Sequence, residues 1–494
     1  MKPEYIDIIV IGAGLSGIGS AYYLQKNCPQ KSLVIFEGRE ALGGTWDLFK
    51  YPGIRSDSDM FTYGYTFNPW TDSDSLASGE KLLSYLKDTT EKFKLNEKVR
   101  YQHRVKKLDW SSSAGLWSLV VDVADETKHY QCQFVLCCTG YYNYESGYQP
   151  AFKGLEEYKG RFVHPQHWPE DLNYQDKKVV VIGSGATAVT LIPNLAKHAE
   201  KVTMLQRSPT YIISRPQRDL IQKLLSLVLP QNWVSNIVRK KNVLLGNLFY
   251  HYMVKNPEKA KKFIAKQQNK VLGNHIDRKH FTPAYNPWDQ RLCLVPDGDL
   301  FESLNSRKAE IKTDHIEHFT EKGIQLKSGE HLEADIVVSA TGLNLEVLSG
   351  VELTVDGELV PLGDKMFYRG VMLEDTPNLG MVFGYTNASW TLKVELVAQY
   401  IARVINHMDQ HHHPIAVPQD LEQVKRELFL NLNSGYITRV QDKIPKQGAV
   451  QPWRLDQNYN IDKKKLRDVS LEDGILQFKP LDSVNIKQPA AKRA

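Results

Sequence analysis

Ile8-Ile9-Val10-Ile11-Gly12-Ala13-Gly14-Leu15-Ser16-Gly17 opens the chain, and Val179-Val180-Val181-Ile182-Gly183-Ser184-Gly185-Ala186-Thr187-Ala188 repeats its design far downstream. In each, a strand-like apolar run meets a glycine-rich turn, and helix-like residues follow (18–24 and 189–195). A tight turn, close backbone approach to a pyrophosphate and a helix N-terminus facing it all need glycine there. One Gly-x-Gly-x-x-Gly is a weak signal; two in the same strand–turn–helix setting carry much more. The expectation is an α/β chain with two Rossmann-like dinucleotide-binding domains, passing electrons between two cofactors.

The residue that ends the second strand of each unit separates the two cofactors. After Leu33-Val34-Ile35-Phe36 comes Glu37, twenty residues beyond Gly17. A carboxylate there accepts hydrogen bonds from a ribose diol and repels a 2′-phosphate. After Val202-Thr203-Met204-Leu205-Gln206 come Arg207 and Ser208. A guanidinium suits a 2′-phosphate through paired, charge-assisted hydrogen bonds. Either charge alone also reads as a solvated strand end. Opposite charges at equivalent points of two units favour FAD at the first and NADPH at the second.

The 494 residues set an expectation of about three domains. Hydrophobic residues at 42% and charged ones at 24% fit a soluble globular chain with a sizeable core. The net charge of +5 is unevenly placed: residues 218–279 hold thirteen Lys/Arg and three Asp/Glu, or +10, leaving −5 elsewhere. Basicity confined to one segment argues against a nucleic-acid-binding protein. No apolar run approaches the length of a membrane span, and Asp7 inside the first strand speaks against a signal peptide. The five cysteines (Cys28, Cys132, Cys137, Cys138, Cys293) lack CxxC spacing, so no disulfide framework, metal site or dithiol relay is expected, and a cytoplasmic setting is. Cys137 and Cys138 read as packing residues.

An internal repeat extends beyond the two turns. Strand-like residues 117–123 and 133–137 end at Thr139-Gly140, and residues 316–326 and 335–338 end at Thr341-Gly342. Each pair is read as a meander crossing the sheet, with a last strand returning beside the dinucleotide, where glycine admits close backbone approach. The second unit is interrupted by three helical stretches, 220–229, 233–254 and 257–272. Their basic residues are read as a solvated helical face, with a lid that also touches anionic lipid as the alternative. The expected division is 1–145 and 385–494 for FAD, 165–215 and 292–384 for NADPH, 216–291 as the helical insertion and 146–164 as linker.

Longer motifs are more specific. Gly43-Gly44-Thr45-Trp46, Lys50-Tyr51-Pro52-Gly53 with Asp57, and Tyr158-x-Gly160-x3-His164-x3-Trp168-Pro169 resemble the class B flavoprotein monooxygenases of the Baeyer–Villiger type. So do Asn286-Pro287-Trp288-Asp289-Gln290-Arg291, Gly384-Tyr385-Thr386-Asn387-Ala388-Ser389-Trp390 and Pro445-Lys446-Gln447-Gly448. Trp168 resembles Baeyer–Villiger enzymes rather than N- or S-oxygenating flavin monooxygenases, which usually carry Phe or Tyr there. Two departures stand out: Tyr158 replaces Phe, and Gln290 stands where many Baeyer–Villiger enzymes have Lys. The second leaves Arg207 to carry the 2′-phosphate alone and bears on the strength of the NADPH preference.

The resemblance implies roles. Arg291 is the catalytic arginine and Asp57 its positioning partner; on the residues alone, Arg291 reads as a salt bridge to Asp289 or Asp297. Gly12, Gly14, Ser16, Gly17, Glu37, Thr45, Trp46, Asp47, Leu48, Asp57 and Val105 fall at FAD. Arg55, Ser56, Asp57, Gly183, Ser184, Gly185, Ala186, Thr187, Ala188, Val189, Arg207 and Ser208 fall at NADP. His164 and Trp168 sit at the joint between domains, as a packed hinge or as a control on domain rotation. The implied reaction is NADPH-driven insertion of one oxygen of O2 into an apolar ketone through a C4a-peroxyflavin, giving an ester, with sulfoxidation as side activity. It needs a dry site, since water releases the bound oxygen as hydrogen peroxide. An N- or S-oxygenating flavin monooxygenase is the alternative. A disulfide reductase would need the missing CxxC, and an electron-storing flavoprotein would bind FAD without substrate-dependent NADPH consumption.

Overall fold

The computed structural model describes residues 2–290, 292–429 and 435–481. Arg291 and the tail after residue 481 therefore lie outside the described residues. The first strand, Glu4–Ile11, is buried along both faces at Ile8, Ile9 and Val10, as a continuous apolar run in a parallel sheet requires. It pairs in parallel with Leu33–Phe36 on one side and with Glu126–Cys137 on the other. Between them run the helix Leu15–Asn27 and an antiparallel meander of His103–Ser111 and Leu116–Val123. Trp110 and Trp117 face each other in that meander, fully buried, with ring centroids 5.4 Å apart.

The second unit is a five-stranded, all-parallel sheet. Its order is Ala309–Thr313, Lys201–Gln206, Lys178–Ile182, Ile336–Ser339 and Arg161–Val163. The repeat expected from the sequence is present, with one difference. In the first unit the meander belongs to the main sheet, whereas in the second Ile316–Thr320, Gly323–Leu326 and His331–Glu333 form a separate sheet. Its Phe319, Ile324 and Leu326 pack on Val180, Ile182 and Val337.

The expected division at residue 385 does not follow the sheets. Glu352–Val355 pairs with His103–Ser111, and Leu379–Met381 pairs with Glu126–Cys137, so the chain rejoins the first sheet well before residue 385. Arg161–Val163, inside the expected linker, is an edge strand of the second sheet. These strands have three or four residues, too few for alternation to reveal them. The long helix Trp390–Gln410 then packs along Leu15–Asn27, as the expected return to the first unit requires. The insertion consists of Leu220–Leu225, Gln231–Lys255 and Pro257–Val271, leaving and rejoining the second unit through the paired strands Ile212–Arg215 and Cys293–Pro296. Among the described residues, no helix is long and apolar enough to cross a membrane.

Candidate functional site

Both glycine turns are built the same way. Gly12 has φ +103°, and a Cβ there would lie 2.7 Å from the Cys138 carbonyl oxygen. Gly183 has φ +145°, and its Cβ would lie 2.3 Å from the Ala340 carbonyl oxygen. Their amides donate to Phe36 and Leu205 at 2.7 and 2.8 Å, tying each turn to its second strand. The close approach expected at the two Thr-Gly strand ends thus falls on Gly12 and Gly183 instead. Gly140 and Gly342 stand in open space and are required by their positive φ. The helices start at Leu15 and Ala186 behind the extended Gly14 and Gly185, with no side-chain cap and no acidic residue in the first turn. Uncapped amides and a positive helix end, approached through backbone that carries no Cβ, form a cradle that fits a pyrophosphate at each turn.

The strand-end residues differ as expected. Glu37 is buried, and its two carboxylate oxygens accept the Ala13 and Arg39 amides at 2.8 and 2.9 Å. Burial, more than any charge, pushes its pKa up, while those two amides fix its orientation. Arg39 was not singled out by the sequence; it pairs with Asp47 at 2.7 Å and lines the same cavity, adding a cation beside Glu37. Its only sequence signal is its place two residues after Glu37. Arg207 and Ser208 are exposed at the end of Lys201–Gln206, and Arg207 makes no ion pair among the described residues.

The two units share one cavity of about 410 Å³. Gly12, Gly14, Ser16, Glu37, Thr45, Trp46 and Val105 line it from the first unit, and Ala186 and Thr187 from the second. Arg55, Ser56 and Asp57 lie on the wall between. That wall is closely fitted: a Cβ on Gly53 would lie 1.9 Å from Asn194 Nδ2, and Tyr51 hydrogen-bonds Thr187 across the join. Burial pushes the Tyr51 phenol up to about 12. Arg55 is paired with Asp299, and Ser56 donates to the Ser58 carbonyl, so both carry structural partners besides any ligand. Of the remaining expected residues, Asp47 holds Arg39, Leu48 packs on the second core, and Ala188 and Val189 are buried in that core. Ser184 hydrogen-bonds Thr210 at 3.0 Å.

Aromatic side chains line the cavity. The Trp46 indole donates to Tyr63, and the Trp390 indole donates to Ser16 Oγ at 2.8 Å. Tyr141 sits against Trp390 with ring centroids 5.2 Å apart. Trp390 belongs to a motif quoted above, but its partnership with Ser16 spans 374 residues and leaves no local signal. Cys138 also lines the cavity; burial pushes its thiol up to about 12, so it stays protonated and packs, as expected. Elsewhere His407, His411 and Glu472 bring ligand atoms within 4.8 Å of one another, and none of the three lines the cavity.

The expected catalytic arginine, Arg291, lies outside the described residues. On either side of it the chain is placed. Asp289 accepts the Asn286 amide at 3.0 Å, Asp297 accepts the Gln217 amide at 3.1 Å, and Leu294 lines the cavity. Both acids named as bland partners for Arg291 therefore already hold backbone.

His164 and Trp168 stand at the joint. Two crossing segments, Tyr142–Gly147 and Leu343–Leu345, pair there between the sheets. His164 Nε2–H donates to the Gly342 carbonyl at 3.2 Å while Nδ1 accepts the Gln166 amide at 3.2 Å, which fixes a neutral ring. Burial also lowers its pKa. Trp168 is half-buried on the second core beside Tyr174, and neither residue lines the cavity. Trp168→Ala is therefore expected to slow turnover of large and small substrates by a common factor, roughly ten- to a hundredfold, through misplaced domains. Steady-state kinetics across a size series of substrates checks this; a loss that varies sharply with substrate size would place Trp168 at the substrate instead.

Comparison with known proteins agrees with this geometry. Residues 6–410 match the family model described as flavin-binding monooxygenase-like. The chain is 47% identical to the probable FAD-binding monooxygenase AlmA of Acinetobacter baylyi, over 98% of each chain. It is 46% identical to the FAD-containing monooxygenase EthA of Mycobacterium tuberculosis, over 96% of this chain and 98% of that one. An open crystal structure of cyclohexanone monooxygenase superposes with a TM-score of 0.73 at 21% identity, covering 84% and 90% of the two chains, a likeness of fold. The chain belongs to the flavin-binding monooxygenase-like family.

Proposed function

We propose that this flavoprotein monooxygenase binds FAD at the Gly12 turn and NADPH at the Gly183 turn and oxygenates apolar ketones to esters, with sulfides as secondary substrates. The observation that carries the two-cofactor assignment is the single cavity lined by Gly12 and Gly14 of the first turn and by Ala186 and Thr187 at the helix start behind the second. When bound, FAD accepts a hydride equivalent from NADPH and activates O2. The chain's own residues do the rest. Glu37, oriented by the Ala13 and Arg39 amides, accepts from the FAD ribose. Asp57 and Arg55 occupy the wall where two cofactors meet. Trp46, Tyr141 and Trp390 keep water from the cavity, which strengthens every charge inside it. Arg291 holds negative charge developing on oxygen during attack on the carbonyl.

We assign the first sheet with Trp390–Gln410 to FAD, the second sheet to NADPH, and 216–291 to a helical insertion. Mass spectrometry of products from a ketone panel under 18O2 tests the reaction: one labelled oxygen in an ester is expected. Sulfoxides or N-oxides with no ester would favour an N- or S-oxygenating monooxygenase.

Coenzyme choice gives a second test. Arg207 is exposed and without an ion pair among the described residues, and the uncharged Gln290 supplies no second cation. Arg207→Ala is expected to raise the KM for NADPH roughly ten- to a hundredfold, the effect of losing about 1.5–3 kcal/mol of charge-assisted contact, while the KM for NADH stays near its starting value. Equal rises for both coenzymes would remove Arg207 from the 2′-phosphate.

A further inference from the structure

The insertion presents its apolar side to solvent. Leu227 is 78% exposed, Val228 77%, Leu220 72%, Trp233 66% and Leu224 65%. Along Gln231–Lys255, the exposed Trp233, Ile237, Leu244, Leu248 and Tyr252 recur at helical spacing on one face, a stripe about 28 Å long at 1.5 Å per residue. A solvated surface helix places these residues inward, and an exposed apolar face of this size, broken only by Lys240 and Lys241 between Ile237 and Leu244, marks a contact surface.

Arg239 and Asn242 of the same helix point the other way. Arg239 is buried and donates to the Phe61 carbonyl at 3.2 Å and to Glu395 at 3.3 Å. Lys241 pairs with Asp219, and Asn242 donates to Asp59 at 2.7 Å. Polar anchors thus fasten the helix to the body while its apolar stripe faces out. The basic residues expected on a solvated helical face are mostly exposed, and they border an apolar surface.

The charge pattern says what covers it. No Asp or Glu occurs from residue 220 to residue 257. Lys223, Lys240, Lys255, Lys259 and Lys262 are exposed and make no ion pair among the described residues. A second copy of the chain would bring two strongly basic faces together. An anionic lipid surface instead accepts the apolar stripe among its acyl chains and the lysines among its headgroups. We propose that the insertion docks this enzyme on anionic membranes, lying in the interface without crossing it. The helix also packs on Met60–Tyr63, and Tyr63 lines the cavity, so docking brings lipid-dissolved substrate within one helix of the site.

The test is flotation of the flavin-loaded full-length enzyme with phosphatidylglycerol–phosphatidylcholine vesicles and with vesicles of phosphatidylcholine alone. Binding to the mixed vesicles, weakened by salt and by removal of phosphatidylglycerol, is expected. Leu227→Ser with Val228→Ser and Trp233→Ser, all at exposed positions, should cut partitioning about tenfold or more with an unchanged visible spectrum and melting temperature. Lys240→Gln with Lys255→Gln and Lys259→Gln should remove the preference for anionic vesicles and leaves every apolar contact in place. Absent binding by the wild type, or equal binding by both triple variants, would overturn the proposal. Self-association in sedimentation velocity without vesicle binding, abolished by the apolar triple variant, would assign the face to a second copy instead.

Discussion

Arg291→Ala is expected to lower ester formation by about a hundred- to a thousandfold, the usual cost of removing one preorganised group that holds negative charge in a dry site. Anaerobic bleaching of the flavin by NADPH, followed by stopped flow, should survive, because hydride transfer precedes the step at which the charge develops. In air, NADPH oxidation should continue and yield hydrogen peroxide, measured by a coupled peroxidase assay. Arg291→Lys should restore little, since an ammonium on a flexible stem lacks the planar fork of donors. The uncharged Gln290 beside it offers no substitute cation. Ester production near the wild-type rate by the Ala variant would sink the assignment. Uncoupled NADPH consumption separates loss of chemistry from loss of cofactor binding, which would silence both signals together.

The parts of this site that were legible in the sequence are those fixed by local geometry. A turn that brings a helix start against a strand end needs glycine at set offsets, so Gly12 and Gly183 announced themselves, and the strand-end charges Glu37 and Arg207 followed by counting. The insertion's helices were legible because they are long enough to show a period. Short strands were not: Glu352–Val355 and Leu379–Met381 join the first sheet through pairing with partners hundreds of residues away. The Trp390–Ser16 hydrogen bond and the Arg39–Asp47 pair beside Glu37 depend likewise on tertiary placement. Composition reported that the insertion is basic, but not that Arg239 and Asn242 anchor its long helix inward while apolar residues face out among exposed lysines. That distinction turns on which side of Gln231–Lys255 the body occupies, and Asp59, Phe61 and Glu395, all outside the insertion, decide it.

The third glycine of the first turn carries the tightest contact and the largest expected effect on assembly. A Cβ on Gly17 would lie 1.7 Å from the Gly12 carbonyl oxygen. That oxygen has little room to retreat, since the Gly12 amide is bonded to Phe36 at 2.7 Å and a Cβ on Gly12 would itself lie 2.7 Å from the Cys138 carbonyl oxygen. The equivalent residue of the second turn is Ala188, fully buried, so the second helix stands far enough off to admit the methyl group. Gly17→Ala should therefore push the helix Leu15–Asn27 away from its strand. Overpacking in a core costs about 1–3 kcal/mol where side chains can adjust, and a backbone oxygen adjusts less, so about 3 kcal/mol or more is expected, with the helix N-terminus displaced from the pyrophosphate. Flavin-to-protein ratio after purification, titration with added FAD, and thermal melting measure the two effects. Gly246→Ala is the control: it lies mid-helix, exposed, with nothing within 4 Å of its added Cβ. There the same change should stabilise the fold by about 0.4–1 kcal/mol, by restricting the unfolded chain. If Gly17→Ala retained full flavin and melted as the wild type does, the helix would have to be movable at its N-terminus, and a rigid pyrophosphate cradle could not be the basis of FAD binding.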